Sequence, residues 1–332
     1  MNDLALAAFA AETGGHVVEE PKELRFARFR RTFDGESFRA SLDARGLRFV
    51  GRSEPGYPRL LGELHDPPPG LFLRRGSADV ELLSEPAVAI VGARRCSSYG
   101  GQVARLLGRE LAAAGLVIVS GLARGVDCEA HRGAVEGGGA TIAVLGCGID
   151  RDYPAAHAQL ARGIGASGLV VSEYAPGVEP APWRFPARNR IIAGLCPAAI
   201  IVEARERSGA LITADFALEA GREVFAVPGE ITSTLSTGTN ALLRLGATPL
   251  TSAADVLELF GLEPTRSERL DLGTDAAAVL DALAREPAAA DELGRATGLD
   301  AAALATALAE LELAGAVAEA LSFRSPTELG PR

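Results

Sequence analysis

The sequence predicts an α/β protein: a doubly wound, Rossmann-like parallel sheet, preceded by a small helical domain and followed by a winged-helix-like domain. Three observations carry this. Short, almost continuous apolar runs recur at 88–91, 116–119, 141–145, 169–171, 199–202 and 224–227, with a weaker one at 248–250; strands of that kind are buried on both faces, as in a parallel sheet covered by helices. A helical stretch separates each run from the next. The chain has 332 residues, and at roughly 100–200 residues per domain this leaves room for more than one domain.

In order along the chain, residues 1–50 show helical patterning broken by Gly14-Gly15, Pro21 and Gly35, which predicts a small helical domain of the SAM type. Residues 51–262 form the Rossmann-like domain, entered through a Pro- and Gly-rich connector at 51–80 that packs as extended chain on the domain it precedes. A linker at 263–274 follows. Helical patterns at 276–285, 289–297 and 301–313 and a hairpin-like run at 316–324 then predict a winged helix within 275–325.

Composition removes several function classes. Lys22 is the single lysine beside 32 arginines, so no P-loop lysine follows any strand and a Walker-type ATPase is excluded. The net charge of −10 argues against a protein that coats duplex DNA with a basic surface. Within 87–200, however, eleven arginines face eight acids, enough for a local anion site. Cys96, Cys128, Cys147 and Cys196 lie far apart without a C-x-x-C pair, the pattern of reduced thiols in a cytoplasmic protein rather than of disulfides or a zinc site. The apolar stretch near the N-terminus is short and lacks a basic flank, so a helix is expected there rather than a signal peptide, and no run is long enough to span a membrane.

Open α/β sheets bind ligands beyond the carboxyl ends of their strands. After the first strand, Gly92-Ala93-Arg94-Arg95-Cys96-Ser97 enters a helix, and backbone N–H groups with Arg94 and Ser97 would make a phosphate cradle there. After the second come Ser120-Gly121-Leu122-Ala123-Arg124-Gly125 and Asp127, the last a helix cap or a loop-ordering group. His131 follows one turn later as an ordinary helix residue, with no second ligand spaced to make a metal site with it. The stretch Trp183-Arg184-Phe185-Pro186-Ala187-Arg188-Asn189-Arg190 combines rings and arginines at a helix start: guanidinium for phosphate and rings for bases, or rings that plug the core. After the fifth strand, Glu203-Ala204 leads to Ser208-Gly209-Ala210 at another helix start. A G-x-G-x-x-G at 163–168 leaves a helix and enters a strand, the wrong context for a dinucleotide, and no nucleophile elbow or other catalytic constellation is present. No cofactor and no metal is expected.

These motifs, taken together and in order, resemble the bacterial DNA-processing protein A (DprA, or Smf) family over about 52–260. The resemblance rests on Gly92-Ala93-Arg94 with Ser97, on Ser120-Gly121-Leu122-Ala123-Arg124-Gly125-Val126-Asp127 with Ala130-His131, on Phe185-Pro186 with Arg188-Asn189-Arg190, and on Glu203-Ala204, Ser208-Gly209, Thr213-Ala214 and 221–229. It implies a non-catalytic, homodimeric protein that binds and protects single-stranded DNA and helps load a RecA-type recombinase on it in natural transformation. Carried over residue by residue, it implies DNA contacts at Arg94, Ser97, Ser120, Gly121, Arg124, Arg188, Asn189 and Arg190, with Phe185 a base-pocket residue. Ala93 stands where the family often has Ser or Thr, so a hydroxyl contact is lost there and Arg94 with backbone amides must suffice, while His157 and Cys196 depart from residues frequent in the family, which leaves their side-chain roles open.

The C-terminal segment 275–325 holds three arginines against nine acids, and its third helix carries Asp300, Glu310 and Glu312 with no base. A helix entering a major groove brings basic side chains to it, so this segment is expected to contact protein rather than duplex. The alternative for the whole chain is a nucleotide-processing enzyme of the phosphoribohydrolase type, with Asp127 or Glu203 as its acid or base.

Overall fold

The computed structural model describes residues 2–13, 24–74, 80–263, 272–285 and 288–313. The chain divides into two units, 1–265 and 266–332.

The first unit begins with α1 (Asn2–Thr13), α2 (Leu24–Thr32) and α3 (Gly35–Ala44). Asp34 caps α3 by accepting from the N–H groups of Glu36 and Ser37. There follow β1 (Leu47–Gly51), a short α4 (Arg59–Gly62) and β2 (Gly70–Arg74). The connector is therefore not merely extended chain: β1 and β2 pair antiparallel, and β2 continues antiparallel onto the sheet through Phe72–Ser172 and Arg74–Val170. The sequence hid β2 because its apolar residues stand among the prolines and glycines of the connector, and β1 because it falls at the end of the segment read as helical.

The seven apolar runs all form strands. They are β3 (Ala87–Val91), β4 (Val117–Ser120), β5 (Thr141–Leu145), β6 (Leu169–Ser172), β7 (Ala198–Ile201), β8 (Glu223–Ala226) and β9 (Thr248–Pro249). The intervening helices are α5 (Ser98–Ala113), α6 (Val126–Glu136), α7 (Ala158–Ser167), α8 (Arg184–Gly194), α9 (Gly209–Glu219), α10 (Thr237–Arg244) and, after β9, α11 (Ala253–Phe260). The nine strands lie in the order β1-β2-β6-β5-β4-β3-β7-β8-β9. All pairs from β6 to β9 are parallel. The sheet is thus mostly parallel, with an antiparallel pair at one edge.

Strands β3 to β5 are buried at every position, as burial on both faces demands. Side chains alternate between two apolar clusters, one around Ala89, Val91 and Val119 and one around Val88, Ile90 and Ile118. A third cluster joins Leu4, Ala7 and Leu42 of α1 and α3 to Phe72, Leu145 and Ile149. The N-terminal helices therefore share a core with the sheet and belong to its unit. The chain runs outward from β3 through β6, then returns to lay β7 against the other side of β3. That reversal makes the β3/β7 edge the switch point, where the loops after the two strands part and leave a crevice.

The second unit contains α12 (Thr274–Arg285), α13 (Ala290–Thr297) and α14 (Ala301–Leu313), the three helices expected. They close on Ala276, Val279, Leu293, Leu304, Ala307 and Leu311. The hairpin read at 316–324 lies outside the described residues.

Candidate nucleic-acid interface

The loop after β3 and the loop after β7 face each other across the switch point. Ser97 caps α5 by accepting from the Gly100 N–H at 3.0 Å. Its own N–H donates to Glu203 at 2.9 Å, and its hydroxyl donates to the other oxygen of the same carboxylate. Gly100 lies so close that an added Cβ would stand 2.4 Å from the Glu203 carboxyl carbon. The positive end of α5 thus already holds an anion supplied by the protein. The cradle expected at this turn is occupied by Glu203, with Ser97 donating to it from both its N–H and its hydroxyl.

The loop after β4 is built around a buried arginine. Arg188, 3% exposed, donates from Nη1 to the Gly121 carbonyl at 2.7 Å and to the Val144 carbonyl. Its guanidinium lies where a Gly121 side chain would stand. Asp127 accepts from the N–H groups of Gly121 and Ala123 at 3.1 and 3.4 Å, so it orders the loop, and α6 begins at Gly125 without a side-chain cap. Burial raises the Asp127 pKa and lowers that of Arg188 to about 10, while each charge opposes the shift of the other. Leu122 sits in the left-handed region at φ 56°, a costly conformation for a branched side chain. The His157 ring, buried beneath it, donates from Nδ1 to its carbonyl at 2.9 Å. His157, one of the three residues that depart from those frequent in the resembled family, thus ties down this loop.

Ser120 is fully buried and donates to the Ile90 carbonyl at 2.6 Å. Gly121 is buried as well. Arg190 is 1% exposed, its guanidinium held by both oxygens of Glu173 at 2.7 and 3.1 Å and by Asp66 at 2.9 Å. Ser120, Gly121 and Arg190 are therefore buried beneath the rim, and Arg188, although buried, lines the cavity described below. The reason is periodicity: α8 turns Arg188 toward the β4 and β5 ends and Arg190 toward Glu173, leaving Asn189 between them half-buried, its amide on the Gly209 carbonyl at 3.0 Å.

Other predicted residues do come together at the surface. Arg94 is exposed and lies over the Phe185 ring, 5.4 Å from its centroid. Phe185 is half-buried and stacks on Tyr153, centroids 5.1 Å apart and planes at 28°. This ring is a ledge and not a core plug. Trp183 is 45% exposed, with Arg184 between it and Tyr174. Arg124 stands exposed at the tip of its loop.

Beneath the ledge is an open cavity of about 540 Å³, lined by Arg94, Arg95, Arg188, Arg205 and Arg207 with Asp127 as the one acid. Arg94, Arg95, Arg205 and Arg207 are exposed and make no ion pair among the described residues. Arg105, by contrast, pairs with Glu136 and Glu129 on the helix surface. Sequence reasoning missed Arg205, Arg207 and Tyr153. The signal for the first two was their position directly after the fifth parallel run, masked by Glu206 between them.

The DNA recombination-mediator protein A family model matches residues 48–261, and a DprA winged helix domain model matches 263–320. The DNA processing protein DprA of Streptococcus pneumoniae is 48% identical over 204 residues, 61% of this chain and 71% of the relative. The crystal structure of the S. pneumoniae protein covers 79% of this chain and 94% of its own at 38% identity and a TM-score of 0.66. DNA processing protein A of Helicobacter pylori, whose structure was described for its single-stranded DNA binding mode, covers 64% and 95% at 33% identity and a TM-score of 0.58.

Proposed function

This chain belongs to the DNA recombination-mediator protein A (DprA/Smf) family, and from that membership we propose that it binds single-stranded DNA along the arginine rim at the β3/β7 switch point. The observation that supports this most is the cavity with five arginines and one acid beside the Arg94–Phe185–Tyr153 ledge. Guanidinium groups attract phosphates whatever the base, and exposed rings offer stacking surfaces that every base can use. Duplex would hide those base faces, so the ledge favours single strands.

The fuller reading is a cytoplasmic, homodimeric mediator that protects incoming single strands and helps load a RecA-type recombinase during natural transformation, without catalysis of its own. The acidic winged helix then serves protein contact. The phosphoribohydrolase alternative needs a free carboxylate at a sugar carbon. Both candidates are engaged, Asp127 by loop N–H groups and Glu203 by Ser97.

The test is equilibrium binding of labelled oligothymidylate across a salt series with a duplex competitor, for the wild type, Arg94→Ala and Arg124→Ala. Single-strand preference with a salt slope reduced in both variants supports the reading; no binding, or unchanged binding in both, rejects it. Filament assembly by a RecA-type recombinase on strands coated with single-strand-binding protein, with and without this chain, tests the loading step.

A further inference from the structure

We propose that the start of α9 is a phosphate subsite of the strand groove, made by the Gly209 end of the helix, the Thr213 hydroxyl, and Arg205 and Arg207. The inference rests on the single-strand reading above and gives a role in it to Ser208-Gly209 and Thr213, which the sequence motifs marked without one, together with Arg205 and Arg207.

Helices α5, α6 and α9 follow strands β3, β4 and β7 at the carboxyl edge of the sheet. The start of α5 is closed by the Glu203 carboxylate. The start of α6 follows Gly125, whose backbone is pressed against Ala93, and Val126 donates its N–H to the Ala93 carbonyl at 3.3 Å. At α9, Ser208 accepts only from the Ala210 N–H, and no carboxylate of the described residues is hydrogen-bonded there. Ser208, Gly209, Ala210 and Thr213 all line the arginine cavity. An added Cβ at Gly209 would meet no heavy atom within 4 Å, so the helix end is open on that side.

Thr213 is the independent sign of a ligand. It is 0% exposed, and its hydroxyl has no hydrogen-bond partner among the described residues although it lines the cavity. A buried hydroxyl without a partner is unfavourable, so its retention calls for an explanation. Thr213 stands four residues after Gly209 and therefore beneath it on the same helix face, with side chains tilted toward the helix N-terminus. A phosphate oxygen entering over Gly209 would meet helix N–H groups and the Thr213 hydroxyl together. Arg205 and Arg207, both exposed and lining the same cavity, supply its counter-charge. Glu206 between them is exposed and is not part of the lining, and Asp127, the one acid that is, already faces Arg188 and two N–H groups.

The test uses the full chain and labelled oligothymidylate over a salt series, with Thr213→Val, Thr213→Ser, the double variant Arg205→Gln/Arg207→Gln, and Arg94→Ala as the control for the strand reading. Thr213→Val is expected to weaken binding about three- to tenfold, the scale of one hydrogen bond, with an unchanged salt slope. Its melting temperature should hold or rise, because an unmatched hydroxyl has been removed. Thr213→Ser should bind as the wild type does. The double variant should flatten the log–log salt slope by about 1.4, from two single-strand phosphate contacts at about 0.7 each. If Arg94→Ala weakens binding while Thr213→Val and the double variant bind as the wild type, the subsite is wrong and the strand reading stands. If the wild type does not bind the oligonucleotide, both fall.

Discussion

Glu203 and Ser97 join the two loops that part at the switch point: one carboxylate accepts both the N–H and the hydroxyl of Ser97. The pair fixes the loop carrying Arg94 relative to the loop carrying Arg205 and Arg207, so the spacing of the rim arginines depends on it. Replacing Glu203 with Gln keeps the shape but loses the charge at the α5 start. The expected loss of stability is ~1–3 kcal/mol, read from urea midpoints. Gly100→Ala should cost more than Glu203→Gln, because its methyl would stand 2.4 Å from the Glu203 carboxyl carbon. Equal midpoints for Gly100→Ala and the wild type would contradict that close approach.

Arg190 and Arg124 should separate structural from binding arginines. Removing Arg190 leaves Glu173 buried without its bidentate partner, a change of ~3–5 kcal/mol in stability. Arg190→Ala is therefore expected to lower the urea midpoint sharply while the fraction that remains folded keeps the wild-type salt slope for oligothymidylate. Arg124→Ala, at an exposed loop tip, should leave the midpoint in place and flatten that slope by about 0.7.

The contrast shows what was legible in sequence. The parallel strands were, because burial on both faces writes an unbroken apolar run such as Ala87–Val91. The strand at 70–74 was not, since Gly70 and neighbouring prolines gave the signature of a connector, nor was that at 47–51, which falls at the end of the segment read as helical. At the site, the motif marked the loops that gather at the switch point but could not tell which arginines face solvent. Residues 188, 189 and 190 are adjacent in sequence and point three ways on a helix, and a guanidinium that holds up a loop is the same letter as one that binds a phosphate. Only the fold reveals that Arg188 lies under Gly121 and that Glu203 occupies the anion position expected for DNA.

Phe185 is the stacking surface most sharply defined by the geometry, a half-buried ring held by the Tyr153 ring at 5.1 Å with the Arg94 guanidinium 5.4 Å from its centroid. Stacking of a base on an aromatic ring is worth ~1–3 kcal/mol and involves no counterion. Phe185→Ala is expected to weaken oligothymidylate binding by about that amount with an unchanged salt slope, whereas Arg94→Ala flattens the slope. Fluorescence anisotropy at four salt concentrations distinguishes the two. A Phe185→Ala variant with wild-type affinity would remove the ring from the binding surface.

His131 makes stability depend on pH in a predictable window. Its Nδ1 lies 2.7 Å from the Thr141 hydroxyl, which itself donates to the Ile118 carbonyl at 2.6 Å, so the histidine Nδ1 is the donor of the pair. Nε2 is then the unprotonated nitrogen, buried and without a partner among the described residues. Burial, assisted by the charges of Arg188 and His157, pushes the pKa from 6.5 down to about 3. The unfolded chain therefore takes up a proton between these values while the folded chain does not. The neutral ring's contribution is complete above about pH 6.5, and it is lost as the pH falls toward 3, at a limiting slope of about 1.4 kcal/mol per pH unit. Urea midpoints at pH 7.5 and 5.0 should thus differ more for the wild type than for His131→Leu, which has no ring to protonate. If the two proteins lose stability equally over that range, another group carries the acid sensitivity and the His131 ring takes up its proton in the folded state.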